Sequence, residues 1–292
     1  MLIEDVQEFT EDELNQLHIK SLEMAEYFVR ICRENNLLCY FCGGGCIGAV
    51  RHKGFIPWDD DLDFFMPRND YEKLEKVWSE KADTARYSLN KPSEDYCDHN
   101  SMITIKDEET TFIKPYQSGL DISHGLPLDV FPLDGYAPTG FKRKMQMCYA
   151  LLYSLFVTQV IPEKHGGFMK LACRILLALV PSKKARFRIW RFCEKRMSKY
   201  TVENSEYITE LCAGPHYMKK KYPAAAFEKS IFVPFENTQM PIPVGFDAYL
   251  KEAFGDYMSL PPEEKQKAHH ECVFMDMQNG YKKYKGMYYC VK

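Results

Sequence analysis

Long apolar runs are missing from this 292-residue chain. A membrane-spanning helix needs roughly 18 or more apolar residues in succession. The nearest runs, MQMCYALLYSLFVTQ and LACRILLALV, are too short, and the second carries Arg174 and stops at Pro181. A basic excess is missing as well: 38 Lys+Arg against 41 Asp+Glu give a net charge of −3. Coating nucleic acid demands a basic surface, so nucleic acid is not an expected partner. The opening segment MLIEDVQEFTEDEL is acidic, unlike the basic and then apolar start of a secretory signal. No internal repeat and no low-complexity linker stands out. Cysteine is plentiful at 11, but the count is odd and the spacings form no disulfide framework. Cys39, Cys42 and Cys46 invite a thiolate-metal reading, yet no second Cys or His pair with finger spacing follows them. Free thiols in a reducing cytoplasm are the expectation.

What is present reads as a mixed α/β (α+β) protein. The length suits one large domain, or one domain with a sizeable insertion. Residues 11–35 carry Leu14, Leu17, Met24, Phe28 and Ile31 near helical spacing. Residues 37–42 (LLCYFC) read as a short strand broken by three glycines, with a short helix over 46–52. Residues 61–66 (DLDFFM) alternate like a strand closed by Pro67, and 69–80 has a helical cap and charge pattern. Short β-segments follow through 84–131, then helical character over 140–200, then a strand near 230–235 and a helix near 246–254. The expected layout is a single catalytic domain over 1–292. Its core spans 1–135, a helical lobe spans about 140–200, and a C-terminal segment, 201–292, completes the site.

Two constellations carry chemistry. Gly43-Gly44-Gly45 before a helix lets the backbone approach a ligand and points free N–H groups at it, which suits phosphate. In Asp59-Asp60-Asp61-Leu62-Asp63, a strand over 61–66 puts Asp61 and Asp63 on one face. Two carboxylates so placed repel unless a cation lies between them, and hard oxygen ligands suit Mg²⁺ or Mn²⁺. Asp59 and Asp60 fit a solvated turn beside Trp58 better. A glycine turn followed about one helix later by Asp-apolar-Asp is the pattern of the nucleotidyltransferase superfamily, which needs a third carboxylate from a neighbouring strand. Asp129, flanked by Leu128 and Val130, answers to that, whereas Asp134, after Pro132, reads as a turn cap. Arg51, His52 and Lys53 follow the glycines, and Arg51 and Lys53 are candidates for phosphate oxygens. A basic helix C-terminus is the structural alternative, and His52 reads equally as a base or a packed residue.

The run FCGGGCIGAVRHKGFIPWDDDLDFFMPRNDYEKL, Phe41 to Leu74, resembles the signature of the LicD family. The segments HGLPLDVFPLDGY (124–136) and VPFENTQMPIPVGFDAYLKEAFGDYMSLPP (233–262) are also similar to family motifs, while 140–225 matches none. Fukutin and fukutin-related protein are more distantly similar. The resemblance implies a nucleotidyltransferase-like mixed sheet flanked by helices, with a helical insertion or lobe. It implies Asp61, Asp63 and Asp129 as metal ligands, and Gly43, Gly44 and Arg51 at the phosphates. Where the family has Ser or Thr after the glycine pair, this chain has Gly45, so a hydroxyl contact to phosphate is missing and a backbone N–H serves instead.

The resemblance further implies transfer of phosphocholine, or another phosphoalcohol, from CDP-choline or a similar CDP-alcohol. The acceptor would be a hydroxyl of a cell-surface glycan, such as lipopolysaccharide or teichoic acid, or of its lipid-linked precursor, with CMP released. A nucleotidylyltransferase of the same fold releasing pyrophosphate stays open, as does a catalytically silent binding module. Trp58 and Tyr257 are candidates to stack on a base or cradle a quaternary ammonium. Asp256 is a candidate for substrate contact, and Glu236 and Asp247 share the C-terminal motif. Lys183, Lys184, Arg186, Arg188 and Arg191 flank apolar helices, so peripheral contact with the inner face of a membrane stands beside the alternative of a solvated basic face.

Overall fold

The computed structural model describes residues 9–161, 167–268 and 271–291. His269 and His270, to which the sequence assigns no role, lie outside them, as does part of the 140–200 segment. Helix α1 (Glu11–Glu34) opens on a capping box, in which Thr10 and Glu13 satisfy each other's backbone N–H groups. It buries Leu17, Met24, Phe28 and Ile31. Strand β1 is only Tyr40–Phe41, and helix α2 (Gly43–Arg51) follows at once. Then come β2 (Phe64–Pro67), α3 (Arg68–Lys81), β3 (Tyr87–Asn90), β4 (Ile103–Asp107), β5 (Thr111–Ile113) and the long β6 (Leu126–Gly135). Helices α4 (Gly140–Thr158), α5 (Gly167–Leu179) and α6 (Lys183–Met197) precede β7 (Tyr207–Glu210), α7 (Gly214–Tyr217) and β8 (Tyr222–Pro223). Strands β9 (Ser230–Phe235) and β10 (Thr238–Pro243), helix α8 (Phe246–Phe254) and β11 (Phe274–Asp276) complete the chain.

Strand β6 is the hub of a mixed sheet ordered β1-β2-β6-β4-β3, with β7 and β8 joined through its far end. It pairs in parallel with β2, antiparallel with β4, and antiparallel with β7. Its first six residues alternate: Leu126, Leu128 and Val130 are buried, while Pro127, Asp129 and Phe131 are half-buried. Side chains two apart share a face of a strand, so Asp129 stands with Pro127 and Phe131. The β9–β10 hairpin packs on β1 and α2, and β11 pairs with β5. A second apolar core joins α4 to α6 through Tyr153, Phe156, Trp190 and Met197.

Three sequence expectations change. The strand expected over 37–42 shrinks to two residues because Cys42 is already the N-cap of α2, and the glycines expected to precede a helix are its first turn. The strand expected over 61–66 starts at Phe64, because its ladder partners are Tyr40–Phe41 and Val130–Leu133, and β1 ends before it could pair with 61–63. Asp61 and Asp63 therefore lie in the segment entering the sheet, where Asp63 carbonyl oxygen accepts the Cys42 N–H at 3.0 Å. Asp134 does not cap a turn. It lies within β6, fully buried, and pairs with Arg68.

All 11 cysteines are free. Burial pushes the Cys42 and Cys46 thiols well up, which suits packing and opposes thiolate ligation. Among the described residues, the clustered side chains able to hold a metal include no cysteine.

Candidate active site

The β2–β6 register sets the centre of the site. Phe64 pairs with Val130 in parallel, so Asp63 and Asp129, each one residue earlier, enter side by side. Asp60, Asp61, Asp63 and Asp129 line one narrow cleft, of about 10 Å³, together with Lys114 at the end of β5. Thr104, the β4 partner of Asp129 in register, donates its hydroxyl to Asp129 Oδ1 at 2.5 Å. Lys114 Nζ stands 3.9 Å from Asp129 Oδ2. Burial pushes the Asp63 carboxyl well up, and the charges of Asp61 and Asp129 push it further, with Lys114 opposing. Burial disfavours the Lys114 ammonium, but Asp129, Asp61 and Asp63 outweigh it and raise its pKa. A buried cation, Lys114, thus lies among several carboxylates. The donors are hard carboxylate oxygens, so the residues present fit a divalent cation of the Mg²⁺ or Mn²⁺ kind.

Asp59, Asp60 and Asp61 offer oxygens within 4.8 Å of one another. Asp59 and Asp60 are buried, not the solvated turn expected of them. The main chain of Asp59 is fixed by His18, whose Nε2 lies 2.6 Å from its carbonyl oxygen. Its carboxylate lies against the first turn of α2: a Cβ on Gly44 would stand 1.8 Å from Asp59 Oδ2. That is the helix end at which negative charge is favoured. Gly44→Ala must displace this side chain, at a cost of about 1–3 kcal/mol for such overpacking. The expected result is a melting temperature several degrees lower, read by thermal denaturation. An unchanged melting temperature would mean that Asp59 swings away freely.

Gly43 opens the helix at φ +51° with open space where a side chain would be, a backbone conformation that glycine adopts without penalty. At Gly45 a Cβ would meet Phe41 and Leu62 at 3.3–3.4 Å. A side chain there points into the core, so its absence does not remove a hydroxyl from the cleft.

Other sequence candidates are placed elsewhere. Arg51 does not extend free toward the cleft: its guanidinium donates to the carbonyls of Tyr257 and Ser259, at 2.8 and 3.0 Å, and ties α2 to the C-terminal segment. His52 caps α2 and faces Trp58 edge-on at 6.5 Å, and burial beside Arg51 lowers its pKa. Lys53 adopts φ +59° and its carbonyl accepts the Glu236 N–H, while Glu236 Oε1 accepts the Phe55 N–H. Glu236 therefore clamps the loop after α2. Tyr257 donates its hydroxyl to Asp247, and Asp256 accepts from Ser259. Sequence reasoning passed over Lys114 and Thr104. A lone Lys between Ile113 and Pro115, closing an apolar strand, was the available signal for Lys114.

Comparison with known proteins follows the same residues. Residues 36–147 match the family model described as LicD/FKTN/FKRP, nucleotidyltransferase domain. That segment is thus similar to a LicD-family domain. It holds α2 and all of Asp61, Asp63, Lys114 and Asp129. The chain is also 27% identical over 269 residues to a lipopolysaccharide cholinephosphotransferase, LicD, of Haemophilus influenzae, covering 88% of this chain and 96% of that protein. The similarity therefore runs past residues 36–147 into the helical and C-terminal segments.

Proposed function

We propose that this chain is a metal-dependent transferase that moves phosphocholine, or a related phosphoalcohol, from a CDP-activated donor to a glycan hydroxyl, releasing CMP. The observation that carries the reading is the convergence of Asp61, Asp63 and Asp129 on one cleft inside a segment similar to a LicD-family domain. The similarity to a cholinephosphotransferase over 96% of that protein supports the choice of cargo. In the reaction, an acceptor oxygen forms a bond to the choline-bearing phosphorus, the P–O bond to CMP breaks, and the hydroxyl proton passes to water. A divalent cation would neutralise charge on the attacking and leaving oxygens. Asp61, Asp63 and Asp129 would hold it. One oxygen of Asp129 accepts from Thr104 and the other faces Lys114, which fixes a ligand better than it frees a base. Lys114 would turn from these carboxylates to a phosphate oxygen as donor binds.

Mass spectrometry of nucleotide products tests this, with Mg²⁺, a glycan acceptor pool, and CDP-choline, CDP-ribitol, CDP-glycerol and nucleoside triphosphates in parallel. CMP from one CDP-alcohol, lost in Asp61→Ala, supports the reading. Pyrophosphate from a triphosphate with no CMP moves the chain to nucleotidylyl transfer, and ligand binding with no turnover of any donor leaves a silent binding module.

The proposal extends to a membrane-borne acceptor. Among the described residues no helix is long and apolar enough to cross a membrane. Helix α5 nevertheless exposes Leu171, Ile175, Leu176 and Leu179, the last 73% exposed, and Lys183, Lys184 and Arg188 lie exposed just beyond. Arg186 is not part of that surface, since it binds the carbonyls of Leu177 and Val180. An apolar stripe beside cations suits an anionic bilayer surface. Co-sedimentation with anionic liposomes at low salt, falling as salt rises and lost in Ile175→Glu/Leu179→Glu, is the expected outcome. No sedimentation at low salt would remove this part of the proposal.

A further inference from the structure

A second cavity, of about 280 Å³, also takes Asp63 into its wall, so this carboxylate borders both spaces. Its remaining wall comes from segments distant in sequence. Phe65 and Phe131 are contributed by the sheet, Tyr217 by α7, Tyr249 and Phe254 by α8, and Glu210 by the end of β7. The rings form a continuous series: Phe65 to Tyr249 at 5.6 Å, Tyr249 to Phe254 at 6.4 Å, and Phe254 to Tyr217 at 6.2 Å between centroids. Gly43, at the start of α2, also lines the space, and its N–H donates to the Tyr249 hydroxyl at 3.0 Å.

The chemistry of this wall is one-sided. Its charged members are two carboxylates, Asp63 and Glu210, and it contains no Lys, Arg, His, Asn, Gln, Ser or Thr side chain. A nucleobase edge needs side-chain or main-chain donors as well as acceptors, and a phosphate needs cations or N–H groups. A compact organic cation needs aromatic faces and a carboxylate. Building on the function proposed above, we infer that this cavity receives the quaternary ammonium head of the transferred phosphoalcohol. The rings of Tyr217, Tyr249 and Phe254 would face its methyl groups, and the Glu210 carboxylate would supply the counter-charge.

The placement agrees with the bond to be broken. A phosphocholine phosphorus beside Asp63 and the start of α2 leaves its head to extend into the aromatic space, with CMP directed toward the acidic cleft. Glu210 is 4% exposed and accepts the hydroxyl of Tyr222. Burial pushes its carboxyl up to about 7, with Tyr222 and Lys220 acting against that. A bound cation would favour its ionised form, so ligand and carboxylate stabilise each other. The aromatic residues expected to cradle the ammonium, Trp58 and Tyr257, are not in this wall.

Two readouts separate this inference from the function on which it rests. The first is direct binding of tetramethylammonium and of phosphocholine by calorimetry, against carbon analogues with an uncharged head, 2,2-dimethylpropan-1-ol and 3,3-dimethylbutyl phosphate. Saturable binding of the cations, at least tenfold weaker for the analogues and at least tenfold weaker in Glu210→Gln and in Tyr217→Leu, is expected. Glu210→Gln keeps an acceptor for Tyr222, and Phe254→Leu, at a rim position 37% exposed, provides a variant with little risk to folding. The second is CMP release: these variants should raise KM for CDP-choline about tenfold, with a smaller change in kcat. Unchanged cation binding and unchanged KM, with CMP release still lost in Asp63→Asn, would overturn the ammonium site and leave the transferase reading standing. Cation binding lost in the variants, with no CMP from any donor, would support the site and overturn the transferase reading.

Discussion

Asp63→Asn is expected to lower CMP release by about a thousandfold or more and, at the same time, to raise the melting temperature of the metal-free protein. The loss follows from the placement of Asp63 between the acidic cleft and the aromatic cavity. A divalent cation contributes several kcal/mol to a phosphoryl-type transition state, which converts to roughly a thousandfold in rate. The gain in stability follows from the same carboxylate. Burial, Asp61 and Asp129 push its pKa well above the ordinary value of 3.8. A carboxyl whose pKa is higher folded than unfolded binds its proton more tightly in the native state, so stability falls as pH rises through the interval between the two values. Asparagine carries no such penalty. The variant should melt higher than the parent at pH 7, and the difference should shrink toward zero as pH falls to the ordinary carboxylate range. Mg²⁺ or Mn²⁺ should raise the parent's melting temperature by binding the native state and leave the variant's nearly unmoved. Retained CMP release would remove Asp63 from the reaction. A lower melting temperature at pH 7 would mean that its charge is already compensated.

Local signals carried the helices well. The 11–35, 69–80 and 246–254 expectations fall within a residue of α1, α3 and α8. The strand expected over 230–235 coincides with β9. Capping and periodicity are set by neighbours within one turn, so these features are visible without the fold. The segment 59–63 is different. Its conformation depends on how far β1 extends and on which residue of β6 faces Phe64, both long-range facts. Asp61, Asp63 and Asp129 were recognisable as candidates because each is a carboxylate beside apolar neighbours, but their shared cleft is a product of the parallel register.

Partners contributed from afar were the least legible. Arg51 looks like a phosphate ligand beside its glycines, until the C-terminal segment supplies two carbonyls to its guanidinium. Glu210, Tyr217, Tyr249 and Phe254 follow Asp63 by more than a hundred residues, and β7 pairing with the far end of β6 together with α8 brings them to it. No periodicity within those segments marks them as a wall. Aromatic residues make up 14% of the chain, so composition alone could not choose among them.

Asp134→Ala is expected to be the most destabilising single change outside the apolar core, at about 3–5 kcal/mol for one partner of a buried ion pair. Arg68 opens α3 directly after β2, and Asp134 lies on β6, two layers of one assembly. The guanidinium donates to both Asp134 oxygens, Nε to Oδ1 at 2.8 Å and Nη2 to Oδ2 at 2.6 Å, with the side chains 6% and 0% exposed. Burial works against the Arg68 charge, but Asp134 more than offsets it and holds the guanidinium protonated. Removing Asp134 leaves that charge buried, with Glu194 of α6 3.6 Å away as its nearest remaining ion-pair partner. Glu194 also binds Arg191, so it compensates only in part. The double change Arg68→Met/Asp134→Leu removes both charges and fills the space with apolar atoms, so it should destabilise less than either single change. Denaturant titration of the three variants gives the comparison. A double variant as unstable as the sum of the singles would mean that the pair acts through packing and not through charge. If Asp134→Ala also loosens α6, the exchange of its backbone amides should rise with that of α3, because Glu194 and Asp134 reach the same guanidinium from the helical lobe and from the sheet.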